Sequence, residues 1–143
     1  MAIKTNTFQN IIRILLGLIM IYVGIGHLTF SQIDFQAQVP TWLTKQTKLI
    51  DLIIITSGII EIILGILMVV GGKLKVKTGI FLAIFYVLIF PGNINQYVNE
   101  IDAFSLNTDK SRFIRLLFQP ILVLLALFSS GGLRFLKNRK RTN

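Results

Sequence analysis

Four long apolar runs separated by short charged segments constrain this chain more than any other feature. Residues 11–30 carry one charge, Arg13, near their start. Residues 49–70 carry Asp51 near their start and Glu61 in their interior. Residues 76–90 carry Lys77 and residues 113–128 carry Arg115, each close to the start of its run. A helix that crosses the hydrocarbon core of a bilayer needs about 20 mostly apolar residues. The first two runs reach that length unaided. The third reaches it by extending through polar residues toward Tyr97, the fourth by continuing past Ser130. The pattern predicts an all-α, integral membrane four-helix bundle. It forms one transmembrane domain over residues 1–143, with spans near 8–30, 49–70, 76–97 and 113–130 and a basic tail over 131–143.

Composition agrees with a lipid exterior. Charged residues make up 15% of the chain and apolar residues 53%, where a soluble domain carries about 25% charged residues. Lys4 and Arg13 precede the first apolar run, and Gly24-Ile25-Gly26 has the small residues of a signal-peptide cleavage site. The run continues to Phe30, too long for a signal core, so a retained first span is expected.

The net charge of +9 would suit a nucleic-acid binder, but its distribution follows membrane topology instead. With the N-terminus inside, the inner segments hold Lys4, Arg13, Lys73, Lys75, Lys77, Arg134, Lys137, Arg139, Lys140 and Arg141, with no acidic residue among them. The outer segments hold Lys45, Lys48, Lys110, Arg112 and Arg115 against Asp34, Asp51, Glu100, Asp102 and Asp109, which cancels. Basic segments are retained on the cytoplasmic side during insertion. The expectation is therefore N-in, C-in, in a cytoplasmic (inner) membrane, with the lipid bilayer as partner and no nucleic acid. The terminal basic cluster suits anionic headgroups as well. Trp42, after Pro40 at a span boundary, reads as an interfacial anchor.

Some chemistry is excluded outright. Without cysteine there is no disulfide and no thiolate metal site, and a single histidine cannot supply both ligands of a bis-histidine haem. No metal site is expected. What remains is a set of polar residues inside apolar helices. Glu61 lies about 18 Å into the second run at the helical rise of about 1.5 Å per residue. An ionisable group at that depth costs about 2.5–3.5 kcal/mol on insertion scales and marks function by default. Gly58 and Gly65 flank it on one helix face, so Glu61 should point at protein. Gly17, Met20, Gly24 and His27 recur at the same spacing in the first helix, and Gly79, Ala83, Tyr86, Phe90 and Asn93 in the third. The glycines Gly17, Gly24, Gly58, Gly65 and Gly79 form an expected close-packing face. His27, Asn93, Asn95 and Gln119, with carbonyls of Val87 and Leu116 freed by Pro91 and Pro120, are expected to line a cavity opening outward with Glu61 at its floor. Asn95 and Gln119 have a plainer role as interhelical hydrogen bonds, and His27 one as an interfacial residue.

The ordered residues resemble a known family. Gly24-Ile25-Gly26-His27-Leu28-Thr29-Phe30 closes the first helix and Val39-Pro40-Thr41-Trp42-Leu43 follows. Thr56-Ser57-Gly58-Ile59-Ile60-Glu61-Ile62-Ile63-Leu64-Gly65 and Phe90-Pro91-Gly92-Asn93-Ile94 come later. Over roughly residues 11–128 this is similar to the DoxX and DoxX-like family of small bacterial membrane proteins. The resemblance implies a four-helix membrane fold, a link to quinone-dependent oxidoreductase systems and their membrane or soluble redox subunits, and functional positions at His27, Glu61 and Asn93. The chain has neither a cysteine nor a soluble redox domain for autonomous sulfur chemistry. Three readings follow: a membrane redox component holding a quinone headgroup at His27, Glu61 and Asn93; a proton or small-solute transporter titrating at Glu61; and a non-catalytic anchor or assembly subunit. The first is preferred because it alone draws on the resemblance. No catalytic residue is assigned.

Overall fold

A computed structural model describes residues 3–141, with the side chains of Lys140 and Arg141 outside the described set. The described residues are helical with no strand. They form α1 (Thr7–Leu28), α2 (Gln32–Gln38), α3 (Thr47–Val70), α4 (Lys75–Val98), α5 (Asp109–Ser130) and α6 (Gly132–Arg141). Four of these elements are long and apolar enough to cross a membrane.

Local chemistry fixes the helix ends. Asn6 caps α1 through a reciprocal pair of bonds with Gln9, and Thr108 caps α5 in the same way with Ser111, so each satisfies first-turn N–H groups that have no intrahelical partner. At the other ends, α3 stops at Gly71 and α5 at Gly131, both with positive φ (71° and 84°), where a side chain would strain the backbone. Gly131 corrects one expectation. The fourth span does not run on past Ser130 but breaks there, and the basic segment that follows forms α6. Its basic residues alternate with exposed Leu133, Phe135 and Leu136.

Helix α1 packs chiefly on α3, and α4 on α5. Between the two pairs lies a core of Leu16, Met20, Leu64, Met68, Leu82, Ala83, Phe85, Tyr86 and Ala126. Outside it, large apolar side chains such as Leu18, Tyr22, Ile59, Ile63, Phe81, Leu88, Phe118 and Leu124 stand exposed on all four long helices. Soluble monomers seldom expose contiguous apolar patches beyond a few hundred Å².

The expected glycine face divides in two. Gly17 opposes Gly65 and Gly24 opposes Gly58 across the α1–α3 contact, where a Cβ on Gly65 would lie 2.7 Å from Gly17 O and one on Gly24 2.7 Å from Gly58 O. Gly79 instead packs on α5, against Ser130 and Ala126.

The N-terminal segment, the turn between α3 and α4, and α6 gather at one end. There Lys75 Nζ donates to Thr5 Oγ1 (2.7 Å) and Arg134 Nη1 to the Lys4 carbonyl (3.0 Å). Arg13, expected only as a topology charge, is buried and donates to the carbonyls of Met68 and Val69 at the C-terminus of α3. Unsatisfied carbonyls and the negative end of the helix dipole favour a cation at that place. The segment between α1 and α3, read as an outer loop, contains α2. Its seven residues show too little periodicity to announce a helix, and contacts with α1, α3 and α4 hold it at the opposite end.

Candidate functional site

A cavity of about 470 Å³ lies between the two helix pairs beneath α2. Its walls are mostly apolar, including Ile19, Met20, Val23, Leu88, Ile89 and Leu122. Polar groups enter from both sides: His27, Ser57 and Glu61 from α1 and α3, and Asn93, Arg115 and Gln119 from α4 and α5. Buried Pro40 and exposed Trp42 and Leu43, in the segment after α2, border it at the end away from the basic turn.

The α1–α3 wall follows from the glycine contact. Gly24 lies one turn before His27, and Gly58 one turn before Glu61, so the close backbone approach carries the two side chains together. His27 Nε2 stands 3.4 Å from Glu61 Oε2, with His27 6% and Glu61 2% exposed. The other ring nitrogen, Nδ1, is 2.9 Å from Ser57 Oγ. The Ser57 hydroxyl donates to the Ile54 carbonyl (2.9 Å), so its oxygen accepts from His27 Nδ1–H. That assigns the first imidazole proton to Nδ1. One further proton, on Nε2 or on Glu61, leaves the pair neutral overall. Glu61 Oε2 makes no hydrogen bond although it is buried on the cavity wall. Such an atom in a native interior demands a reason.

On the α4–α5 wall a directed chain of hydrogen bonds runs from Arg115. Its Nη2 donates to Gln38 Oε1 (3.2 Å), and Gln38 Nε2 donates to Asn93 Oδ1 (3.3 Å) and Gln96 Oε1 (2.7 Å). Asn93 Nδ2 donates to Gln119 Oε1 (2.8 Å), and Gln119 Nε2 to the Tyr86 carbonyl (2.7 Å). Bonds in series polarise one another. Helix α2 ties the two walls together, because Gln38 joins this chain while the Phe35 ring lies 3.4 Å, centroid to centroid, from the His27 imidazole.

The structure thus brings His27, Glu61, Asn93 and Gln119 onto one cavity, paired as His27–Glu61 and Asn93–Gln119. Asn95 does not join them. Two residues along a helix turn it about 200° from Asn93, and its Oδ1 accepts from Asn99 Nδ2 (2.8 Å) away from the cavity. The freed carbonyls are also displaced. Val87 and Leu116 are not among the cavity-lining residues, and the carbonyl that faces Gln119 is that of Tyr86, one residue earlier. Phe90 likewise borders a separate groove with Val87 and Pro120, while Ile89 takes its place on the cavity wall. Trp42, read as an anchor, lines the mouth. Sequence reasoning missed Phe35 and Gln38, whose helix it did not see, and assigned Arg115 to the outer-loop charges. The step of four from Arg115 to Gln119 on one helix face was the signal available for it.

For a metal, His27 and Glu61 are two donors without a third. No group of three or more His, Cys, Asp or Glu side chains converges among the described residues. An apolar molecule with one or two hydrogen-bonding groups suits the lining better.

A family model described as "Domain of unknown function (DUF8561)" matches residues 16–130. No curated protein and no solved structure matches the chain.

Proposed function

The chain belongs to the DUF8561 family, and we propose that it is a multi-pass inner-membrane component of a quinone-linked redox system. Its cavity holds a quinone-type headgroup and exchanges a proton with it through His27 and Glu61. The observation that carries this reading is the unpartnered Glu61 Oε2, buried on a mostly apolar cavity wall beside His27 Nε2. A ring carbonyl placed there accepts a hydrogen bond from the proton carried by Glu61 or by His27 Nε2. As the carbonyl is reduced, that proton passes to its oxygen. Asn93, on the facing wall, has a second amide hydrogen for the other carbonyl. Reduction of a quinone takes two electrons and two protons. The electrons come from a partner redox subunit, and this chain binds, orients and supplies protons. The resemblance to DoxX-like proteins is what links the cavity to redox chemistry.

The same reading sets the orientation. Lys4, Lys73, Lys75, Lys77 and Arg134 share the end where the N-terminus meets α6, and the retention of basic segments inside supports a cytoplasmic side for that end. The cavity then opens at the outer face. A transport pathway is the weaker alternative. Toward the basic end Glu61 is followed by Leu64 and Met68, which pack with Leu16 and Leu82 in the apolar core, and this core interrupts a polar path across the bundle. An anchoring subunit would not need the unpartnered carboxyl oxygen.

Solvent extraction of the protein purified in a mild neutral detergent, with quinones quantified by chromatography, tests the proposal. The parent protein should carry quinone well above the amount in Glu61→Gln, a variant that keeps size and hydrogen bonding. Equal amounts in both, at the level of the detergent background, would refute it.

A further inference from the structure

Among the described residues three arginines sit wholly or partly out of solvent, and the fold answers two of them. Arg13 has the terminal carbonyls of α3. Arg112 has two carboxylates, Asp102 at 2.6 Å and Asp109 at 2.7 Å. Arg115, one turn further along α5, lines the cavity and forms no ion pair. Its guanidinium lies 4.2 Å over the Phe104 ring and gives one hydrogen bond, to Gln38. Asp34 lies near enough to act through its field, but its Oδ1 accepts the Phe104 backbone N–H. Phe104 holds its place at a positive φ of 56°, a conformation that strains a non-glycine residue. Its ring packs on Phe35 at 4.6 Å as well as under Arg115. Strain of this kind persists where surrounding structure enforces it and clusters at binding sites. The remaining guanidinium donors have no protein acceptor among the described residues, and the surface they adjoin is the cavity.

A partly desolvated cation with no carboxylate in direct contact is costly, and the planar fork of arginine matches an oxyanion with two acceptor oxygens. We infer that Arg115 is an anion subsite at the cavity mouth, which takes an amphipathic oxyanion as a second class of ligand. Its apolar body lies between Val23, Leu88 and Leu122, and its carboxylate or phosphate pairs with the guanidinium. The inference rests on the cavity being a ligand site, as proposed above, and adds a second class of ligand and the residue that reads its charge. Gln38, already polarised by Arg115, completes the edge of the subsite from α2. Phe104 blocks the guanidinium face away from the ligand and offers a cation–π contact in place of water.

The chain has one tryptophan, and it borders the cavity, so Trp42 fluorescence reports occupancy directly. The full chain in a neutral maltoside detergent is titrated with decanoate, decyl phosphate and decanol, which share one apolar length. Both anions should bind the parent at least ten-fold more tightly than decanol. A preference for only one of them identifies the head as carboxylate or phosphate. Arg115→Gln should bring anions and alcohol to equal affinity, and Arg115→Lys should keep an anion preference. Should Arg115→Gln lose decanol binding too, the parent comparison and Arg115→Lys decide. Equal binding of all three probes to the parent, or an anion preference that survives in Arg115→Gln, overturns the subsite. A neutral short-tailed quinone titrated in parallel separates the two readings. Its binding without any anion preference removes the subsite alone, and its failure beside a clear anion preference leaves the subsite standing and removes the redox proposal.

Discussion

Replacing Gly65 by alanine should weaken the fold more than the same change at Gly26, and the structure gives the size of the difference. A Cβ on Gly65 would lie 2.7 Å from Gly17 O, 2.8 Å from Ile21 Cγ1 and 3.0 Å from Ile21 N. Two of these three atoms are backbone, so no rotamer change relieves them, and α1 as a whole must retreat by several tenths of an ångström. At Gly26 the same Cβ meets only the edge of the Phe30 ring at 3.2 Å and Ser31 Cβ at 3.8 Å, and Phe30 is exposed. Both substitutions gain much the same helix propensity, about 1 kcal/mol, so comparing them isolates the close approach. Overpacking of this kind costs about 1–3 kcal/mol, or about 3–10 °C for a chain of this size. Thermal melts in one detergent, followed by circular dichroism, measure it. Gly65→Ala melting at or above Gly26→Ala would refute the assigned α1–α3 interface, and with it the reason His27 meets Glu61.

Two further outcomes follow from the fold. Cysteines introduced singly at Asn107 and at Lys73, both exposed, should differ toward an impermeant thiol reagent on intact cells: Asn107 labels and Lys73 does not, and the reverse pattern would invert the proposed topology. Arg13→Met keeps most of the apolar stem but strips Met68 and Val69 of a charged donor. A loss of about 1–3 kcal/mol in melts is expected, whereas an unchanged melt would show that water satisfies those carbonyls.

The four long helices were legible because a bilayer-length run of apolar residues leaves few alternatives. The four helices of membrane length lie over those runs, with α5 beginning at Asp109, before the apolar stretch starts. His27, Glu61 and Asn93 were legible as well, since a polar side chain in an apolar helix stands out and the glycines at three- and four-residue steps indicate which way it faces. Asn95 was misplaced for an avoidable reason, as residues two positions apart on a helix point to opposite faces. What sequence could not supply was α2. Seven residues do not complete enough turns for periodicity to register, and α2 is held by tertiary contacts rather than by its own propensity. Without α2 there was no Phe35 over His27 and no Gln38 between Arg115 and Asn93. Arg115 therefore read as one more outer-face charge. Its partners come from segments far apart in the chain, and only packing brings them together.

The central claim is that His27 and Glu61 act as one unit on a ligand in the cavity, and a double-mutant cycle tests it most directly. Quinone affinity, read by quenching of Trp42 fluorescence, is compared among the parent, His27→Ala, Glu61→Gln and the double variant, each first shown to melt cooperatively. Groups that share a proton and a ligand should couple by about 0.5–3 kcal/mol, so the double variant should lose little beyond the worse single one. Strictly additive losses, or four proteins of equal affinity, would contradict the claim.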